Sequence, residues 1–98
     1  MSLPTIDQEY FTKFLVDLLN IPSPTGFAEP AIAFVEKELS QFKQLELSRT
    51  RKGALIAKWE VKSDLPPVAL TAHVDTLGAV VKEIKPNGRL KLSRIGGI

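Results

Sequence analysis

The 98-residue sequence contains no cysteine, a single histidine, and no strong excess of either charge. Without cysteine the chain can form no disulfide, iron–sulfur cluster or thiolate zinc site. Thirteen Lys and Arg stand against eleven Asp and Glu, which gives a formal net charge of +2. So small a charge provides no electrostatic argument for binding nucleic acid or an acidic membrane surface.

Long hydrophobic runs are missing too. No apolar run approaches the ~20 residues needed to cross a bilayer. The opening, Met1 to Thr5, leads into an amphipathic acidic stretch, which predicts no signal peptide. With 44% hydrophobic and 24% charged residues, the composition is typical of a soluble globular protein, and the expected location is the cytoplasm. A chain this short should be only marginally stable alone.

The first third of the sequence predicts two helices. Thr5–Gln8 has the spacing of a capping box. An apolar stripe then recurs at three- and four-residue intervals, formed by Phe11, Phe14, Leu15, Leu18 and Leu19. Prolines and a glycine between Asn20 and Gly26 end this helix. A second helix follows, with Pro30 in its first turn and an apolar face made of Ala31, Val35, Leu39 and Phe42.

The rest of the sequence predicts strands. Leu45–Arg49 and Ala54–Val61 flank a glycine-containing turn. Val68–Ala72 is a nearly continuous apolar run, which predicts a strand buried on both faces. Ala79–Ile84 and Arg89–Ser93 flank an Asn-Gly pair, which is typical of a hairpin. The expected fold is α/β: two helices, a hairpin, a buried strand and a hairpin, with an incomplete sheet.

One short stretch, Thr71–Gly78, has the ingredients of a functional site. His73 directly follows the predicted buried strand, and open α/β sheets place their ligands at the carboxyl ends of strands. Asp75 lies two residues further on, so in extended geometry the two side chains point to the same face. Neutral imidazole is a common metal ligand, and a carboxylate that accepts its other N–H fixes the tautomer and raises ligand basicity.

A purely structural hydrogen bond is nevertheless the more usual meaning of one His-x-Asp, because a metal site needs three or four protein ligands. The sequence has no second histidine, and no Asp or Glu pair with ligand-like spacing lies close to His73. The sequence gives no support for Ser23 or Ser48 as a catalytic nucleophile. Gly96–Gly97 is too short for a phosphate-binding loop. Pro22–Gly26 could line a site, but an interhelical turn explains it fully. The metal and structural interpretations both stay open on the residues alone.

Several segments together resemble a known family, and they span most of the chain: Ile21–Gly26, Leu70–Gly78, Val80–Ile84, Asn87–Leu90 and Ile95–Gly97. The sequence is similar to the glutamyl-aminopeptidase family of cocatalytic metallo-aminopeptidases. These enzymes assemble as large tetrahedral particles and are often labelled endoglucanase or cellulase-like. Related carboxypeptidases and acylases share a His-x-Asp, but they usually follow it with a proline-containing turn that is missing here.

The resemblance implies that residues 1–98 form the amino-terminal portion of a phosphorylase/hydrolase-like zinc-peptidase catalytic domain. It implies two divalent metal ions, zinc or cobalt, bridged by an activated water, with a glutamate as general base. His73 matches the first metal ligand of the family. Asp75 matches the carboxylate that orients that imidazole and supports catalysis. The implied substrates are peptides, from which amino-terminal residues are removed.

The resemblance also implies that most of the active site lies downstream. The bridging aspartate, the glutamate base with its adjacent ligand, the other carboxylate ligand and the final histidine have no counterpart here. Ile95–Gly97 resembles the point at which the family chain enters its inserted dimerisation domain. The ending at Ile98, with neither a cap nor a polar tail, looks interrupted. We therefore expect at most one partial metal site and no peptide hydrolysis by this chain alone.

Two functions stay open at this stage. The chain is either the amino-terminal piece of an aminopeptidase or a non-catalytic module that binds a partner, such as a peptidase subunit. In both cases the missing later strands would leave an exposed sheet edge and an uncovered apolar face. We therefore expect self-association or a complementing chain, and no nucleic-acid or membrane partner.

Overall fold

The computed structural model describes residues 2–97, so the predicted ending at Ile98 lies outside the described residues. Helix α1 spans Gln8–Leu19. Its cap is Asp7, whose side chain accepts a hydrogen bond from the Tyr10 backbone N–H at 3.0 Å. The predicted capping box at Thr5–Gln8 is therefore wrong. Asp7 is as good a cap as threonine, and it lies two residues closer to the apolar stripe, so the helix begins there.

Helix α2 spans Glu29–Leu39, with Pro30 in its first turn as predicted. It packs on α1 through stacked aromatic rings, because the Phe14 and Phe34 centroids lie 5.4 Å apart. The Tyr10 hydroxyl adds a hydrogen bond from α1 to Glu38 on α2. These contacts hold the helices together on one side, while the rest of the α1 apolar stripe stays largely exposed.

The strands form two separate antiparallel hairpins. Strands β1, Leu45–Arg49, and β2, Leu55–Trp59, make the first, and β3, Gly78–Ile84, and β4, Leu90–Ile95, make the second. Both predicted hairpins are confirmed, although β2 is shorter than expected. Each turn ends at a glycine with a positive φ, +87° at Gly53 and +80° at Gly88, a conformation that glycine adopts at no steric cost.

The expected α/β class with an incomplete sheet is confirmed, but the structure corrects one element within it. Val68–Ala72 is not assigned to either sheet, and Val68 and Leu70 are 88% and 96% exposed. A segment becomes a buried strand only when neighbouring strands accept and donate its backbone hydrogen bonds. Among residues 2–97 each sheet has two strands that pair with each other, and neither pairs with this segment.

The helices and the first hairpin form one packed unit. Arg49 of β1 is the link, because its guanidinium donates hydrogen bonds to Glu36 and Glu29 of α2. The β3–β4 hairpin packs against no helix within residues 2–97. It is attached instead to the α1–α2 loop, through an isolated parallel bridge between Pro24 and Thr76. No helix among the described residues is long and apolar enough to cross a bilayer.

Candidate functional site

His73 and Asp75 lie on the extended segment that leads into β3, and Ser23 of the α1–α2 loop holds that segment in place. The Ser23 carbonyl accepts a hydrogen bond from the Thr76 backbone N–H at 2.8 Å. The Ser23 hydroxyl donates to the Val74 carbonyl at 2.7 Å, and the residue is only 2% exposed. Residues 74–76 are therefore clamped on both sides of Asp75.

The two predicted site residues are brought together. His73 Nδ1 lies 2.8 Å from Asp75 Oδ1. Because an ionised carboxylate only accepts hydrogen bonds, the imidazole must donate from Nδ1, which leaves the lone pair on Nε2. The His73 side chain is 84% exposed, and its Nε2 makes no hydrogen bond within residues 2–97. The atom that a metal ion would need is therefore accessible.

The Asp75 carboxylate has a second partner. Thr25 Oγ1, also from the α1–α2 loop, donates a hydrogen bond to Asp75 Oδ2 at 2.8 Å. This bond, and after it the bond with His73, holds the pKa of Asp75 below its usual range, because both stabilise the charged form. The carboxylate is therefore ionised at neutral pH and able to accept from both neighbours.

Two glycines allow the α1–α2 loop to approach this closely. A Cβ built on Gly78 would lie 2.7 Å from the Pro24 Cβ, which is closer than real side chains come. A Cβ built on Gly96 would lie 2.8 Å from Thr25 Oγ1. The loop therefore rests against the first residue of β3 and the chain just beyond β4, and any larger residue at these positions would displace it.

The donor set fits one metal ligand and not a complete metal site. Within residues 2–97 no group of three or more His, Cys, Asp or Glu side chains comes together. His73 with its orienting carboxylate has the chemistry of a ligand, but the three or four protein ligands of a closed site are not present in this part of the chain. The pair helps to line a cleft of about 510 Å³, together with apolar residues of α2 and β2.

Sequence reasoning found His73 and Asp75 but missed the two hydroxyl residues that hold them. Their roles as metal ligand and orienting carboxylate stay predictions. The sequence left Pro22–Gly26 as a loop that could line a site or be a plain interhelical turn, and Ser23 and Thr25 from this loop contact the site. Local pattern gave no signal for these contacts, because Ser23 and Thr25 bond to residues some fifty positions away.

Comparison with known proteins agrees with the resemblance seen in the sequence. The sequence model of the M42 glutamyl aminopeptidase family matches residues 53–98. The chain is also 47% identical, over 85 residues, to a Bacillus subtilis (strain 168) protein named "Putative aminopeptidase YhfE". That alignment covers 87% of this chain but 24% of the relative, so the chain spans about a quarter of the relative's length. Residues 53–98 are thus similar to the M42 glutamyl aminopeptidase family.

Proposed function

We propose that this chain is the amino-terminal portion, residues 1–98, of the catalytic domain of a metal-dependent aminopeptidase. His73 supplies one ligand to a divalent metal ion, and Asp75 orients its imidazole. The observation that carries the proposal is the 2.8 Å contact between His73 Nδ1 and Asp75 Oδ1, with the opposite side of the ring exposed. A structural histidine would more commonly be packed or bonded at both nitrogens.

The residues of this chain perform two tasks in the proposed reaction. Asp75 keeps the proton on Nδ1 of His73, so that Nε2 stays a free electron-pair donor. The α1–α2 loop holds the backbone on both sides of Asp75 through Ser23. Zinc or cobalt ions in such an enzyme supply a water of lowered pKa and polarise the scissile carbonyl. The substrates are then peptides with a free amino terminus.

One ligand and one orienting carboxylate do not hold a pair of metals, so we propose that the chain alone hydrolyses no peptides. The remaining ligands and the general base would come from polypeptide equivalent to the other three quarters of the relative's length. Assembly into a larger particle, the identity of the metal and a cytoplasmic location stay predictions.

A hybrid protein tests this proposal. Residues of this chain replace the matching 85-residue region of the Bacillus subtilis relative, and hydrolysis of aminoacyl p-nitroanilides is measured with added zinc or cobalt. We expect the hybrid to be active, and His73→Ala to abolish that activity. Asp75→Asn should weaken metal binding by about 10- to 100-fold, as loss of a ligand's hydrogen-bond partner typically does.

Lys85→Ala, on the exposed β3–β4 turn, is the matched control and should leave hydrolysis unchanged. The isolated chain should show no hydrolysis, and isothermal titration with zinc or cobalt should show weak binding that His73→Ala removes. A hybrid that is fully active without His73 would overturn the proposed ligand role.

A non-catalytic, partner-binding module remains the second candidate, because the unpaired segment Val68–Ala72 offers both backbone hydrogen bonds and exposed apolar side chains. Strand addition by a partner chain uses such a segment. In that case a peptidase subunit would bind the chain equally well with His73→Ala, and the hybrid would stay inactive with every metal.

A further inference from the structure

The contact between His73 and Asp75 is not enough by itself to fix the orientation of either side chain. Their side chains are 84% and 40% exposed, and they lie two residues apart on a segment that belongs to no sheet. A hydrogen bond between two exposed side chains contributes little, because ordering both of them costs side-chain entropy. The backbone alone therefore leaves the Asp75 carboxylate free to rotate away from the imidazole.

Thr25 supplies the missing restraint. Its hydroxyl donates to Asp75 Oδ2, while Oδ1 faces His73, so each carboxylate oxygen has its own partner. With both oxygens engaged, the carboxylate plane has one orientation instead of several. That orientation places the acceptor at Nδ1 of the ring.

Thr25 is itself held firmly. Threonine is β-branched and therefore stiff at χ1. The residues before it are anchored, since Ser23 is bonded to Val74 and Thr76, and Pro24 lies against Gly78. Gly96 leaves room for the Thr25 hydroxyl, because a Cβ there would lie 2.8 Å from it. The loop therefore holds the Thr25 hydroxyl in position independently of its bond to the Asp75 carboxylate.

We infer that Thr25 is a positioning residue that acts through Asp75: its hydroxyl fixes the carboxylate so that His73 keeps the proton on Nδ1 and presents Nε2 outward. This inference rests on the proposed ligand role of His73, which it deepens. Thr25 touches neither substrate nor metal in the proposed site. Its effect is on the tautomer and orientation of the imidazole.

The test uses the 98-residue chain without metal, labelled with ¹⁵N-histidine. His73 is the only histidine, so the two ring-nitrogen signals are unambiguous. They are recorded at the alkaline end of a pH titration, where the two signals no longer change with pH. In the wild type we expect Nδ1–H to be the majority tautomer. Thr25→Val should lower the Nδ1–H to Nε2–H ratio at least about twofold, because the carboxylate that fixes the tautomer is no longer oriented.

Three further variants complete the test. Thr25→Ser keeps the hydroxyl and should keep the wild-type ratio. Thr25→Ala lacks both the hydroxyl and the extra methyl, and it should match Thr25→Val even if valine disturbs the loop. Thr71→Val removes a threonine hydroxyl two residues from His73 that makes no side-chain hydrogen bond within residues 2–97, and it should change nothing.

A ratio that is the same in all variants, or that follows side-chain size instead of the hydroxyl, overturns the inference. Because no metal is present, this failure would leave the proposed function untouched. A ratio that follows the hydroxyl, combined with a hybrid that is fully active without His73, would overturn the ligand role and leave the positioning intact.

Discussion

At the scale of single residues, a few hydrogen bonds between side chains and loops hold the described chain together, whereas larger domains rely on a packed core. Ala31 and Ser23 are the only buried residues among those described. Ser23 is polar, yet its burial is not costly, since its hydroxyl and its carbonyl are both bonded. The candidate site depends on this one buried hydroxyl more than on any apolar contact.

Tyr10 gives a prediction at this scale. It is the only tyrosine, so an ultraviolet absorbance titration reports on it alone. Its hydrogen bond to Glu38, then burial and the charge of Glu38, raises the pKa of the phenol above its ordinary value. We expect Glu38→Gln to move the titration midpoint down toward that ordinary value, because the charge that opposes phenolate formation is removed.

The sign of the pH dependence follows from the raised pKa. The bond that links α1 to α2 is fully formed below the ordinary tyrosine pKa, and it is lost as pH rises through the raised one. Glu83→Gln, on the β3–β4 hairpin that contacts neither helix, is the matched control. A midpoint that Glu38→Gln leaves unchanged would contradict the contact.

At the scale of elements, a loop and not a sheet connects the two halves of the described chain. The helices and the β1–β2 hairpin form one packed unit, and the β3–β4 hairpin reaches it through the Pro24–Thr76 bridge. The bridge depends on the absence of a side chain at Gly78. The hydrogen bonds of Ser23 and Thr25 place the site relative to the same loop.

Gly78→Ala tests that connection. The added Cβ would lie 2.7 Å from a proline ring carbon, which cannot simply rotate away. Overpacking of this kind costs about 1–3 kcal/mol, so amide hydrogen exchange at Thr76 should become about 5- to 160-fold faster. Gly97→Ala meets nothing within 4 Å and should leave that exchange rate unchanged. Equal rates in both variants would show that the close approach does not hold the loop.

At the scale of the whole molecule, the described chain is extended. Its radius of gyration is 18.5 Å, whereas a compact domain of about this length has about 13 Å. Large apolar side chains are exposed along both the helices and the segment before the site. Exposed apolar surface and unpaired backbone on this scale favour association with another chain.

We therefore predict that the purified chain self-associates. Sedimentation velocity should show an average mass that rises with concentration, and Val68→Asp with Leu70→Asp should reduce that rise, because both residues lie on the exposed unpaired segment. Ser63→Asp with Thr71→Asp adds the same two charges without removing apolar surface, and it serves as the control. A monomer at every concentration would contradict the prediction.

The sequence by itself determined the features that depend on near neighbours. The two helices and both hairpins follow from apolar spacing, from prolines and from glycines at the turns, all of which act within a few residues. The pairing of His73 with Asp75 was predictable for the same reason, since two residues of extended chain bring the side chains together. The family resemblance came from residues along the whole chain.

Only the tertiary structure decided what depends on distant parts of the chain. Val68–Ala72 has the composition of a buried strand, but pairing needs a neighbour, and within residues 2–97 none is placed beside it. The hydrogen bonds of Ser23 and Thr25 to residues some fifty positions away could not be derived from local pattern, because they depend on how the loop meets β3. Local chemistry fixed which residues could form a site, and the packing of the loop fixed how they are oriented.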